Sequence, residues 1–356
     1  MSALPHEPPQ TESTRTALDA VYNWNYEPEI DSIRTLYANA LDRQWIAVRD
    51  LDWDLGIDRD AFSRTFSLAG IPVDKTKFWQ SLDPELRWNI SRRTAAFMLS
   101  NFLHGEQGAL MVASQLVNAV PHMDAKFYAA TQTMDEARHV EVFAAYIKLL
   151  DEVHPIMPSL KRLLDETLTR ETWMHKAVGM QVVVEGLALY VFRDMRNATG
   201  EPLLKQLLTY VSRDEARHTG YGVKYLSHVV GSLPDATRIE LEDFAFEATR
   251  LLVDSRQGGT MRESALNIWR ECGLDPKEVF EALLAERDVI DRESGGAAGP
   301  VRGFVMPTLR AIGLMSDRLE GHFFDMFAAN FGEERARSFD LARQLPDDLD
   351  AWLEGA

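Results

Sequence analysis

Apolar positions recur at helical spacing through almost the whole chain, and prolines and glycines punctuate the pattern. From Ile33 to Asp54, the residues Leu36, Ala40, Leu41 and Trp45 fall at helical intervals, with Trp53 beyond, so this segment is expected to pack across a bundle. Asp83-Pro84 predicts a helix start, because an acidic cap accepts from the first-turn amides and Pro fits the first turn. That helix is expected to run to about Val120, with others at about 123–150, 159–169, 171–197, 202–231, 235–256, 261–271, 275–290 and 305–330. Residues 1–19, rich in Pro, Ser, Thr and Glu, are expected to be a disordered tail. Gly295 to Pro300 reads as a loop, and 331–356 as a helical or irregular C-terminal segment. No stretch alternates with the strand period, and no glycine-rich phosphate loop is present. The fold class expected is all-α: one domain over 20–330, with a four-helix bundle at about 85–231 and accessory helices at about 235–330.

One stretch of this pattern occurs twice. Glu106 and the run Asp135-Glu136-Ala137-Arg138-His139 recur 79 residues later as Glu185 and Asp214-Glu215-Ala216-Arg217-His218. In each copy the lone Glu stands 30 residues before the Glu of Glu-x-x-His. Midway between them lie Pro121 in the first copy and Gly200, followed by Pro202, in the second, all helix-ending signals. Each copy therefore reads as an αα-hairpin with arms of about 15 residues, or roughly 22 Å, that brings its lone Glu level with its Glu-x-x-His. Residues three apart share a helix face, so Glu136 and His139, like Glu215 and His218, can serve one site together. Composition alone yields about 0.7 accidental Glu-x-x-His, so one copy would be uninformative. Two identical copies with the same upstream Glu and the same midpoint turn are not.

The chemistry follows from the residue types. Glu106 lies between Phe102-Leu103 and Leu110-Met111, and Glu185 between Val182-Val183-Val184 and Leu187. A carboxylate in such surroundings needs compensation, and a metal supplies it. Four carboxylates and two imidazoles suit two iron ions inside a four-helix bundle. A metal-bound His usually gives its other ring N–H to a carboxylate. Asp135 and Asp214 are the candidates, each crossing to the His of the other copy, with Arg138 and Arg217 neutralising them.

The set resembles the ferritin-like di-iron carboxylate superfamily over roughly residues 85–230, and its Asp-Glu-x-Arg-His form is similar to that of the bacterial multicomponent monooxygenase hydroxylases and acyl-carrier-protein desaturases. The resemblance implies that Glu106 and His139 hold one iron, that Glu185 and His218 hold the other, and that Glu136 and Glu215 bridge. It also implies reductive activation of O2, with manganese or a mixed Mn/Fe pair as the alternative metal content. Four positions depart from particular branches. Phe143 stands where ribonucleotide reductase small subunits carry a radical Tyr. Val211 stands where arylamine N-oxygenases carry a third His. Ala188 and Leu189 stand where hydroxylases and desaturases carry a Thr.

Residues one helical turn from the ligands, Phe102, Leu110, Phe143, Gln181 and Leu189, are the candidates for a substrate pocket. His104 and His175 are expected to be core or supporting histidines. The net charge of −17 argues against nucleic-acid and anionic-membrane partners. The single cysteine, Cys272, excludes an intrachain disulfide and is expected to be buried. With no signal peptide or membrane span legible, a cytoplasmic location is expected. The function expected is a di-iron oxygenase or oxidase that hydroxylates or N-oxygenates a small organic substrate. It would draw electrons from a reductase or ferredoxin and work as a homodimer. The alternatives are a radical-generating subunit, disfavoured by Phe143, and an iron oxidation or storage protein.

Overall fold

The computed structural model describes residues 11–65, 73–257, 259–289 and 299–345, and every regular element among them is helical. The chain order begins with α1 (Asp31–Asp42), α2 (Ala47–Asp50), α3 (Arg59–Thr65) and α4 (Lys77–Ser81). The bundle follows as α5 (Pro84–Ala119), α6 (Met123–Leu150), α7 (Pro158–Thr169), α8 (Trp173–Ala177), a π-helical turn (Val178–Val184), α9 (Glu185–Ala198) and α10 (Pro202–Val230). Beyond it lie α11 (Asp235–Gln257), α12 (Gly259–Glu271), α13 (Pro276–Ala285), a second π-helical turn (Val301–Val305), α14 (Met306–Ala311), α15 (Asp317–Phe331) and α16 (Glu333–Arg337).

Local chemistry sets the ends of the bundle helices. Asp83 accepts from the Glu85 amide at 2.9 Å, with Pro84 in the first turn of α5. Glu201 caps α10, accepting from the Leu204 amide at 2.6 Å, and it also accepts from the Tyr146 hydroxyl at 2.8 Å. The cap thereby ties the start of α10 to α6. α5 runs antiparallel along α6, and α9 along α10, as two hairpins. α1 lies across α6 and α10, α11 covers α7 and the first π-helical turn, and α15 packs on α11.

Several elements differ from the sequence pattern. The segment 33–54 is not one helix: α1 stops at Asp42, Trp45 lies in the connection to α2, and Leu41 is half exposed. The third bundle helix is continuous from Trp173 to Ala198 but contains a π-helical turn, which apolar periodicity does not reveal. The expected helix over 305–330 is broken at Gly313, whose φ of 81° favours glycine, into α14 and α15. Of the expected tail, residues 1–10 lie outside the described residues. Residues 11–30 form no helix, but Glu12 pairs with Lys161 at 3.0 Å and the Val21 amide donates to the Asn118 carbonyl at 2.8 Å. Gly295–Ala298 of the expected loop, and residues 346–356, also lie outside the described residues.

Two apolar clusters divide the bundle along its axis. One holds Tyr128, Val182, Val183, Tyr221 and Tyr225, the other Phe143, Phe192, Leu207 and Val211. On α6 and α10 the Glu-x-x-His runs fall between residues of the first cluster and residues of the second, so the layer of acids and imidazoles sits between two hydrocarbon plugs.

Candidate metal centre

Glu106, Glu136, His139, Glu185, Glu215 and His218 converge in the middle of the bundle, each almost wholly buried. His139 turns Nδ1 inward, 3.1 Å from Glu106 Oε2, 3.3 Å from Glu136 Oε2 and 3.1 Å from Glu215 Oε1. His218 Nδ1 lies 3.2 Å from Glu136 Oε1, 3.8 Å from Glu185 Oε2 and 3.5 Å from Glu215 Oε2. Glu136 and Glu215 thus each present one oxygen to either imidazole, while Glu106 and Glu185 each face one. Two sets of donor atoms, Glu106/Glu136/His139/Glu215 and Glu136/Glu185/His218, are each compact enough to hold a metal ion.

The outward nitrogens cross between the hairpins. His139 Nε2 lies 3.2 Å from Asp214 Oδ2, and His218 Nε2 lies 3.3 Å from Asp135 Oδ2. Arg138 pairs with Asp135 and Arg217 with Asp214. Burial pushes Asp214 up, but its hydrogen bond with His139 and the charge of Arg217 outweigh that and hold it well below the usual carboxylate range.

The centre is electrostatically incomplete without a cation. Burial, and then the charge of Glu215 or Glu136, pushes Glu106 and Glu185 well above the ordinary carboxylate range. Burial would lower His139 and His218, yet the charges of Glu106 and Glu136 and the hydrogen bonds to acidic neighbours raise both well above an ordinary imidazole. A divalent pair would supply the positive charge that these buried carboxylates lack. Glu136 Oε2, both Glu215 oxygens and His218 Nδ1 are buried without hydrogen-bond partners, which costs free energy unless something binds them. Carboxylate oxygens and imidazole nitrogens suit iron or manganese, so the residues fit a two-metal cofactor.

Three participants were not among the expected site residues. The Trp45 indole donates to Asp214 Oδ2 at 2.7 Å, and Gln44 Nε2 donates to Asp135 Oδ1 at 3.2 Å. Both come from a segment far from the duplication. Gln132 Nε2 donates to Glu136 Oε1 at 3.0 Å and Glu185 Oε1 at 3.3 Å. Its place one turn before Glu136 was the available clue.

A cavity of about 140 Å³ opens between α5 and α9 and ends on Glu106 and Glu185. Phe102, Val184, Leu187, Ala188, Val191 and Phe192 form its apolar wall. Of the five expected pocket residues only Phe102 lines it. Phe143 stands behind Phe102 and Phe192, with ring centroids 6.4 and 5.5 Å away. Leu189 packs instead against Ala216 and Phe304, Leu110 lies half-buried outside the lining, and Gln181 donates to Gln132 Oε1 at 3.1 Å. The one-turn rule gave the level along the helix axis but not which seam between helices stays open. His104 is 2.8 Å from the His154 carbonyl, and His175 lies against Thr172 and Phe244. Cys272 is half-buried rather than buried, and burial pushes its thiol up.

The family described as P-aminobenzoate N-oxygenase AurF matches residues 28–287, well over half of the chain. The chain belongs to this family. It is accordingly a di-iron oxygenase, with an all-helical, ferritin-like bundle around the centre. The match falls on N-oxygenases rather than on the hydroxylases and desaturases whose motif form the chain shares, and it holds with Val211 in place of the third His. Among solved structures, variants of an R2-like ligand-binding oxidase reconstituted with a Mn/Fe cofactor are similar. One is 18% identical, covering 73% of this chain and 92% of its own at a TM-score of 0.47. Another is 20% identical, covering 67% and 91% at 0.45. The family assignment rests on the sequence match. No curated protein matches the chain. Among the described residues no helix is long and apolar enough to cross a membrane.

Proposed function

We propose that this protein N-oxygenates a small, mostly apolar aromatic amine at a two-metal centre held by Glu106, Glu136, His139, Glu185, Glu215 and His218. Glu106 and His139 would hold one metal, Glu185 and His218 the other, with Glu136 and Glu215 available to both. The observation that carries the reading is the cavity, which ends on Glu106 and Glu185 and is otherwise walled chiefly by hydrocarbon. Its volume is close to the roughly 150 Å³ of apolar cavities that take up benzene. When bound, a diferrous pair supplies electrons for the reduction of O2.

The protein's own part is positional. Asp135 and Asp214 accept from the imidazole Nε2–H groups and so leave each Nδ1 lone pair facing inward. Phe102 and Phe192, edge-to-face at 5.0 Å, hold a planar ring in the cavity and exclude water. Electrons come from outside through a reductase or ferredoxin-type carrier. A homodimer in the cytoplasm is the working arrangement.

The test is anaerobic loading with Fe(II), then mixing with O2 in stopped flow with and without simple anilines. The expected result is a coloured transient at about two irons per chain that decays faster with a suitable aniline, with hydroxylamine or nitro products by mass spectrometry. Continued Fe(II) consumption far beyond two per chain, with no amine product, would establish iron oxidation instead.

A further inference from the structure

The two halves of the centre obey the 79-residue duplication at every proposed ligand and break it in the layers above and below. One turn from the ligands, Phe102 corresponds to Gln181, Phe143 to Gly222, and Gln132 to Val211. Phe102, Phe143 and Val211 all belong to the same hydrocarbon plug. Gln132, Gln181 and Gly222 meet at the opposite side of the layer. There Gln181 Nε2 donates to Gln132 Oε1 at 3.1 Å, which leaves Gln132 Nε2 to donate to Glu136 Oε1 at 3.0 Å and Glu185 Oε1 at 3.3 Å. The amide pair is fixed in place. Gln132 and Gln181 are fully buried, and Gln181 sits in the π-helical turn. A Cβ at residue 222 would come within 2.4 Å of Gln181 Cβ, so Gly222 is what lets this turn approach α10. Val211, at the position corresponding to Gln132, has no donor to give.

We propose that Gln132 is a positioning residue that makes the two metal positions unequal, pinning Glu185 while Glu106 keeps the freedom to turn toward the cavity. The inference rests on the two-metal reading above. Glu185 has one oxygen tied by the Gln132 amide, with Oε2 on the side of His218. Its carboxylate would thus be preorganised for a metal. Glu106 lines the same cavity without a corresponding amide, so its carboxylate is the one left free to turn as substrate enters. Gln181 acts through Gln132 by holding its amide the right way round.

Equilibrium titration of the metal-free protein with Mn(II), followed by the EPR signal of free Mn(II), tests this without turnover. Two sites differing at least tenfold in affinity are expected. Gln132→Met, of similar size but without the donor, should weaken the tighter site by about 10- to 100-fold and, through the shared Glu136, the weaker one by clearly less. Gln181→Met should move the same site in the same direction by less. Far-UV circular dichroism of each variant should match the parent. Two equal sites in the parent, equal weakening of both sites by Gln132→Met, or no change in either variant would overturn the proposal. Failure of the parent to bind a Mn(II) pair at all would overturn the two-metal reading itself, and this inference with it.

Discussion

His139 and Asp214 belong to different hairpins, yet His139 Nε2 lies 3.2 Å from Asp214 Oδ2. The reciprocal pair, His218 and Asp135, stands at 3.3 Å. Each half of the duplication therefore supplies the carboxylate that orients the other half's imidazole, and the two hairpins are coupled by the pairs that surround the centre. Asp214 also receives the Trp45 indole and the Arg217 guanidinium, so it joins the N-terminal segment to the same network.

Asp214→Asn keeps the shape but removes the charge that Arg217 and His139 share. Metal affinity on the His139 side is expected to fall by about 10- to 100-fold, with little change on the His218 side. Metal titration of the variant checks this, and an unchanged affinity would show that the crossing does not support the ligand.

Glu136→Ala and His218→Ala are expected to abolish two-metal occupancy while the helical circular dichroism remains. Glu136 contributes one oxygen near each imidazole, and His218 is the sole imidazole of its set. Elemental analysis after anaerobic loading decides the matter: two metals per chain in either variant would sink the ligand assignment.

Ala188→Phe fills the cavity beside Glu106 and Glu185 without touching a proposed ligand. Two metals should still bind, whereas acceleration of the O2-dependent transient by anilines should drop at least tenfold. Full retention of that acceleration would place the substrate elsewhere.

Lys176 is buried at the α7–α8 junction, donating to the Leu168 carbonyl at 2.6 Å, and burial lowers it to about 8. Its unfolded value is about 10.4, so between pH 8 and 10 the unfolded chain binds more protons than the folded one. The contribution of Lys176 to stability should therefore rise with pH across that window and stay flat below it. Denaturant melts of the parent and Lys176→Met at several pH values measure it as a difference. A parent-minus-variant stability that is constant from pH 7 to 10 would contradict the prediction.

The sequence by itself determined the level at which the six proposed ligands meet. The spacing of Glu106 to Glu136, the turn at Pro121 and their repeat 79 residues on are local helix geometry, and local geometry is legible in one dimension. Only the tertiary structure decided which helices leave an open seam. Leu189 and Phe102 both lie one turn from a proposed ligand, yet Leu189 packs on Phe304 and Phe102 faces the cavity, because that choice depends on helix phase against several neighbours. Trp45 and Gln44 reach the Asp135–Asp214 network from a connection whose path no periodicity encodes. The π-helical turn that brings Gln181 to Gln132 was hidden for the same reason. A one-residue change of helical phase leaves no mark on the apolar pattern, and its effect appears only when a buried amide finds its partner across the bundle.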